Sequence, residues 1–187
     1  MGFKPLDLDL RIPTGGPTMT ENLFTKDCIR TFTGLYMNVF EPTPEMINIR
    51  DIAHALSMEC RFSGHLPNFY SVAEHSVMVS RIAPKELKLQ ALLHDASEAY
   101  LRDIPRPIKP KLTNYKAIED KLMRIIAGKF GFDYPLSSEV HMADAEMLQW
   151  EWDELMIGIP GNEPVVCMDP KLVEANFLSE YYRIKFV

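Results

Sequence analysis

The spacing of apolar positions changes near residue 49. Across residues 29–49 (IRTFTGLYMNVFEPTPEMINI), Thr, Tyr, Phe, Val and Ile flank a Gly turn and an EPTPE breaker, which predicts a small β-hairpin. From residue 49 the period is helical, with Ile49, Ile52, Ala53 and Leu56 on one face. Pro67 breaks the chain, and Ser71 is placed to cap a helix over 72–82. Pro84 starts a helix over about 85–100, where Leu87, Ala91 and Leu92 keep the helical spacing. The segment DIPRPIKPKL holds three prolines and is not expected to be helical. Further amphipathic helices are predicted over 114–130, ended by Gly131, over 138–156 and over 170–183. The fold class is therefore all-α, a compact helical bundle with a small N-terminal β-hairpin. Residues 1–20, rich in Gly, Pro and Thr, read as a loose arm ahead of a single domain over 21–187.

Some polar residues interrupt the apolar faces. His75 has Val72 at i−3 and Met78 and Val79 at i+3 and i+4. Asp95 has Ala91, Leu92 and Ala99 as its helical neighbours, and Asp144 has Val140, Met147 and Leu148. A carboxylate on such a face is costly unless it is paired, hydrogen-bonded or bound to metal. With His94, these residues make a His₂Asp₂ set suited to Mn²⁺, Fe²⁺, Co²⁺, Ni²⁺ or Zn²⁺. Adjacent side chains diverge on a helix, so His94 and Asp95 can share an ion only at a bend or helix edge. Glu98 falls on their face one turn on, and Asp103 opens the Pro-rich loop. A carboxylate beside a metal can orient or deprotonate the attacking water. The nearby cations Arg106, Lys109 and Lys111 suit a phosphate substrate.

Composition narrows the field. The chain has 187 residues, 47% apolar and 25% charged, as in soluble globular proteins. The net charge is −6 and the 20 Lys and Arg form no basic stripe, so stable nucleic-acid binding is not expected. Cys28, Cys60 and Cys167 are far apart and odd in number, which fits reduced thiols in a cytoplasmic protein. The N-terminus has no apolar signal region, and no apolar run approaches a membrane span.

The ordered pattern AEHS (73–76), LLHDASEAY (92–100), RDIPRPIK (102–109), YKAIED (115–120) and ADAEM (143–147) resembles the HD-domain phosphohydrolases. The similarity lies with the branch of bacterial 5′-deoxynucleotidases. The segment IRDIAHALSMECRFSGHLPNFYSVAEHS also resembles phage HD proteins, some of which are dATP triphosphohydrolases. The resemblance spans roughly residues 47–150. It implies His75, His94, Asp95 and Asp144 as metal ligands, Glu98 as the residue that activates water, and Asp103 as acid or base at the phosphate. It further implies that Lys109 and Arg61 hold phosphate. Phe62 stands where the deoxynucleotidases carry a Trp that helps exclude the ribose 2′-OH, a departure that bears on sugar selection. His65 either lines the pocket or closes a turn.

The activity so implied is hydrolysis of a (deoxy)nucleotide at the 5′ α-phosphorus, from a mono- or a triphosphate. The metal would be Co, Mn, Zn, Fe or Ni, with Mg alongside a triphosphate, and the protein a homo-oligomer. Two alternatives differ in their demands. A non-catalytic nucleotide-binding HD module needs neither Glu98 nor Asp103. A cyclic-nucleotide phosphodiesterase needs further metal-binding histidines, and His54, His65 and His141 lack that context. His54 and His141 read as exposed, Cys60 as a small core residue, and Trp150, Trp152, Tyr181 and Tyr182 as core or interface.

Overall fold

The computed structural model describes residues 27–161 and 165–186; the predicted arm over 1–20 lies outside them. Strand β1 (Cys28–Arg30) pairs antiparallel with β2 (Tyr36–Asn38), in register Ile29 opposite Met37. Gly34, at φ +89°, supplies the left-handed residue of the connecting turn. Asp51 pins the hairpin to the helices: its buried carboxylate accepts from Thr33 N (2.6 Å) and Thr33 Oγ1 (2.8 Å).

Seven α-helices follow among the described residues, and helix dominates the fold. Helix α1 (Ile49–Met58) buries Ile52, Ala53 and Leu56, as the spacing predicts. Helix α2 (Val72–Ile82) begins in a capping box, with Ser71 Oγ accepting from Glu74 N and Glu74 reaching back to Ser71 N. The second Glu74 oxygen accepts from Met168 N (2.7 Å) and ties the C-terminal region to α2. Ser71→Ala is expected to cost about 1 kcal/mol, read as a fall of roughly 2–4 °C in a thermal melt followed by circular dichroism.

The continuous helix predicted over 85–100 is not observed. A 3₁₀ turn (Lys85–Leu87) leads into α3 (Lys88–Leu92), the backbone leaves helical geometry at Leu93, and α4 (Glu98–Leu101) starts afresh. Between them Ala96 N donates to Leu93 O and Glu98 N to Asp95 O, a tighter pattern than the α-helical one. No Gly or Pro lies between Leu87 and Leu101 to break the helix locally, and Leu92, Leu93 and Ala96, on both sides of the break, are all fully buried in the main core. The proline-rich segment is also not wholly irregular, since Lys109–Lys111 form one 3₁₀ turn. Pro110 fits there because the first residues of a helix need no intrahelical N–H partner.

Helix α5 (Tyr115–Phe130) ends at Gly131, whose φ of +78° is the left-handed cap. Helix α6 (Ser138–Glu151) continues as a π-helix over Trp152–Ile157, and α7 (Pro170–Phe186) runs three residues beyond its predicted end. The main core joins α1, α2, α5 and α7 through Leu56, Val72, Leu122, Ile126 and Phe177. A second cluster (Val79, Ala91, Val140, Met147) packs α2 and α3 on α6. Helix α3 contributes to both, so the residues that follow it are held from two sides. Trp150, Trp152 and Tyr182 are exposed rather than core, and only Tyr181 is buried. His54 is half-buried rather than exposed: it stacks on Phe32 and bonds Glu174 (2.9 Å). His141 is exposed, and Cys60 is only half-buried. Among the described residues no helix is long and apolar enough to cross a membrane.

Candidate metal centre

The break after α3 answers the difficulty of adjacent ligands. Where a regular helix would splay His94 and Asp95 apart, the turn over 93–97 brings His94 Nε2 within 3.1 Å of Asp95 Oδ2. His75, from α2, sets its Nε2 at 4.0 Å from Asp95 Oδ2 and 3.0 Å from Asp144 Oδ1, which comes from α6. Asp144 Oδ1 also lies 3.7 Å from His94 Nε2. One donor atom each from His75, His94 and Asp95 falls within 4.8 Å of the others. Three of the four residues that the sequence singles out as ligands thus form one close group, and Asp144 approaches both of its imidazoles.

The far nitrogen of each imidazole is held. His94 Nδ1 lies 2.7 Å from Ala91 O, and a carbonyl only accepts, so the proton is on Nδ1 and Nε2 is turned to the cluster. His75 Nδ1 lies 2.7 Å from Glu151 Oε1. Metal-binding histidines are oriented by such partners. His94 Nε2 is buried and makes no hydrogen bond, because its close approach to Asp95 lacks the alignment of one. An orphaned buried nitrogen beside two carboxylates and a second imidazole is a donor set that a divalent transition metal fits. Burial would raise Asp95 and Asp144, but His94 and His75 hold both carboxyls below the ordinary range.

Glu151 escaped the sequence reading, although it stands seven residues, two helical turns, after Asp144 on the same face. It is fully buried and takes three partners. Oε1 accepts from Tyr70 OH (3.0 Å) and faces His75 Nδ1, and Oε2 accepts from Arg61 Nε (2.9 Å) and pairs with Arg61 Nη2 (2.7 Å). Arg61, implied as a phosphate contact, is therefore first an anchor for the residue that orients His75. Burial would raise the Glu151 carboxyl, yet His75 and Arg61 hold it below its ordinary value.

The cluster opens into a cavity of about 840 Å³, within the range of small-molecule sites. Asp95, Glu98, Asp103, Asp144 and Lys109 line its inner part; Phe62, His65, Arg106, Trp152 and Met156 also line it. Glu98 reaches the cavity from the first turn of α4, past the turn that carries His94 and Asp95. Its Oε1 accepts from Lys109 Nζ (3.1 Å), and its Oε2 is buried with no hydrogen-bond partner. Burial raises the Glu98 carboxyl well above its usual value, with Asp95 and Asp103 adding and Lys109 opposing. Lys109 also pairs with Glu119 (3.0 Å), a second residue that the sequence did not flag. Burial raises Asp103 as well, against Arg61. Phe62, Ser63 and Gly64 adopt φ of 52°, 53° and 75°, consecutive left-handed residues; for a bulky Phe that is strain of the kind stored at binding sites. His65 is exposed on the cavity wall.

Fold and site together define a mostly helical protein with a buried His–Asp centre at the base of an open cavity. Over 127 residues the chain is 44% identical to YfdR, an uncharacterized protein of Escherichia coli K12, covering 68% of this chain and 71% of that protein. The chain belongs to the same family as YfdR. It is also 33% identical over 124 residues to an uncharacterized protein of Rhodobacter capsulatus, covering 61% of this chain and 63% of that protein. No family model matches the chain.

Proposed function

We propose that this protein is a metal-dependent phosphohydrolase of the HD type, acting on nucleotides at the 5′ α-phosphorus. The observation that carries the reading is the convergence of His75, His94, Asp95 and Asp144, with both imidazoles oriented from behind and His94 Nε2 left without a hydrogen bond. A divalent cation held there would polarise a phosphoryl oxygen and lower the pKa of the attacking water.

The chain's own residues supply the rest. Lys109 fixes one Glu98 oxygen, and the other is left to accept a hydrogen bond from the attacking water. A carboxylate with a raised pKa is the stronger base, so Glu98 takes the proton as the water oxygen bonds to phosphorus. Asp103, raised by its half-buried setting, gives a proton to the nucleoside oxygen as the oxygen–phosphorus bond breaks. Lys109 and Arg61 border the space for the phosphoryl group, although both are already paired with carboxylates. A monophosphate would release phosphate and a triphosphate would release triphosphate.

The test is to incubate the protein with Mn²⁺ or Co²⁺ and a panel of ribo- and deoxynucleoside mono- and triphosphates, then separate the products. Turnover of at least one member is expected, and Glu98→Gln should lower kcat on the order of a hundredfold. A Glu98→Gln protein as fast as wild type would remove Glu98 from the chemistry, and no turnover on any member would sink the proposal.

A further inference from the structure

The outer part of the cavity carries chemistry that phosphate hydrolysis does not use. Helix α6 stays α-helical to Glu151 and then winds as a π-helix, a form found mostly as short segments at functional sites. Within this segment Trp152 and Met156, four residues apart, both line the cavity. Trp152 is 45% exposed, a poor arrangement for a residue whose role is packing. Its ring meets Phe62 with centroids 6.3 Å apart at 44°, a tilted aromatic contact that props the indole at the cavity wall. Phe62 is itself fixed, by the left-handed turn and by the Arg61 guanidinium 5.6 Å from its ring centre.

The two rings share a clasp. Phe62 follows Arg61 and Trp152 follows Glu151, and Arg61 and Glu151 form the buried ion pair at 2.7 Å. That pair joins the backbone segments that carry the rings, and through His75 it also ties them to the metal centre. A sugar phosphate has no group for such walls, whereas a flat heterocycle does, since stacking on aromatic side chains needs only a π-face.

We propose that Trp152 is the specificity residue of the site, the platform on which a substrate's nucleobase stacks, with Phe62 packed against it. The proposal rests on the nucleotide reading above. Trp150 and Trp152 are the protein's two tryptophans, and Trp150 does not line the cavity, so Trp150→Phe leaves Trp152 as a clean fluorescent reporter. That protein, loaded with Mn²⁺, is titrated with the four 2′-deoxynucleosides, which carry no phosphate and are not turned over, and with 2-deoxyribose. Trp152 emission is expected to fall with at least one nucleoside and to stay constant with the sugar. By calorimetry, Trp152→Ala should weaken that nucleoside on the order of ten- to hundredfold, Trp152→Phe should recover most of the loss, and both should bind Mn²⁺ as wild type does. Equal nucleoside binding by Trp152→Ala and wild type, or equal quenching by the sugar, would overturn the proposal. Quenching without hydrolysis of any nucleotide removes the catalytic reading and leaves this one. Hydrolysis with an indifferent Trp152→Ala does the reverse, and neither binding nor hydrolysis removes both.

Discussion

Asp95→Ala is expected to lower phosphohydrolase turnover about a thousandfold or more and to weaken Mn²⁺ binding sharply, while leaving the melting temperature near that of wild type. The Asp95 side chain is 23% exposed, so its loss opens no large cavity in the core. It relieves repulsion with Asp144 and Glu98 while giving up the pairing with His94 and His75, two effects of opposite sign. What disappears is the anionic donor 3.1 Å from His94 Nε2 and 4.0 Å from His75 Nε2. Calorimetric titration with Mn²⁺ beside a turnover assay reads both effects. Unchanged Mn²⁺ affinity in Asp95→Ala would mean that the cation sits elsewhere, whatever the turnover.

Glu151→Ala should have the largest effect on stability. It strands the buried Arg61 guanidinium, the Tyr70 hydroxyl and the His75 Nδ1 proton together. Breaking a buried pair by removing one partner costs about 3–5 kcal/mol, which for a chain of this size lowers Tm by roughly 10–15 °C. Replacing both partners, Arg61→Met with Glu151→Leu, should recover much of that stability, because no buried charge is then unpaired. The double variant should still bind metal about 10–100-fold more weakly, since His75 has lost the carboxylate that orients it. Thermal melts and metal titrations on the same samples separate the two effects. A Glu151→Ala protein that melts within a few degrees of wild type would show that the carboxylate is no anchor.

Much of this architecture was legible because local rules and the global fold agree. Ser71 before an apolar run marked α2, Gly131 marked the end of α5, and the period-breaking His75 and Asp144 marked the places where two helices face the cluster. The reading failed where tertiary packing overrode local pattern. Leu87, Ala91 and Leu92 keep helical spacing, so nothing in the neighbourhood announced that the helix would stop at Leu92. The requirement that His94 and Asp95 share a target did point to a bend, but that argument comes from chemistry and not from periodicity. Glu151 was missed for a different reason. A Glu between two Trp residues reads as a surface position, and only its spacing from Asp144 shows which way it faces. The π-helical turn left no readable trace, because a one-residue change of pitch is invisible in a pattern with few apolar marks.

The burial gradient along the cavity has a consequence for how this protein can change. His75 and Glu151 are completely enclosed and His94 nearly so, while His65, Arg106 and Trp152 lie open at the other end. Substitutions in the enclosed part disturb several partners at once, whereas those at the open end disturb almost none. The two ends therefore differ in the substitutions they tolerate. On the function proposed above, what is recognised could change through single tolerated steps at the mouth while the enclosed His–Asp cluster stays intact.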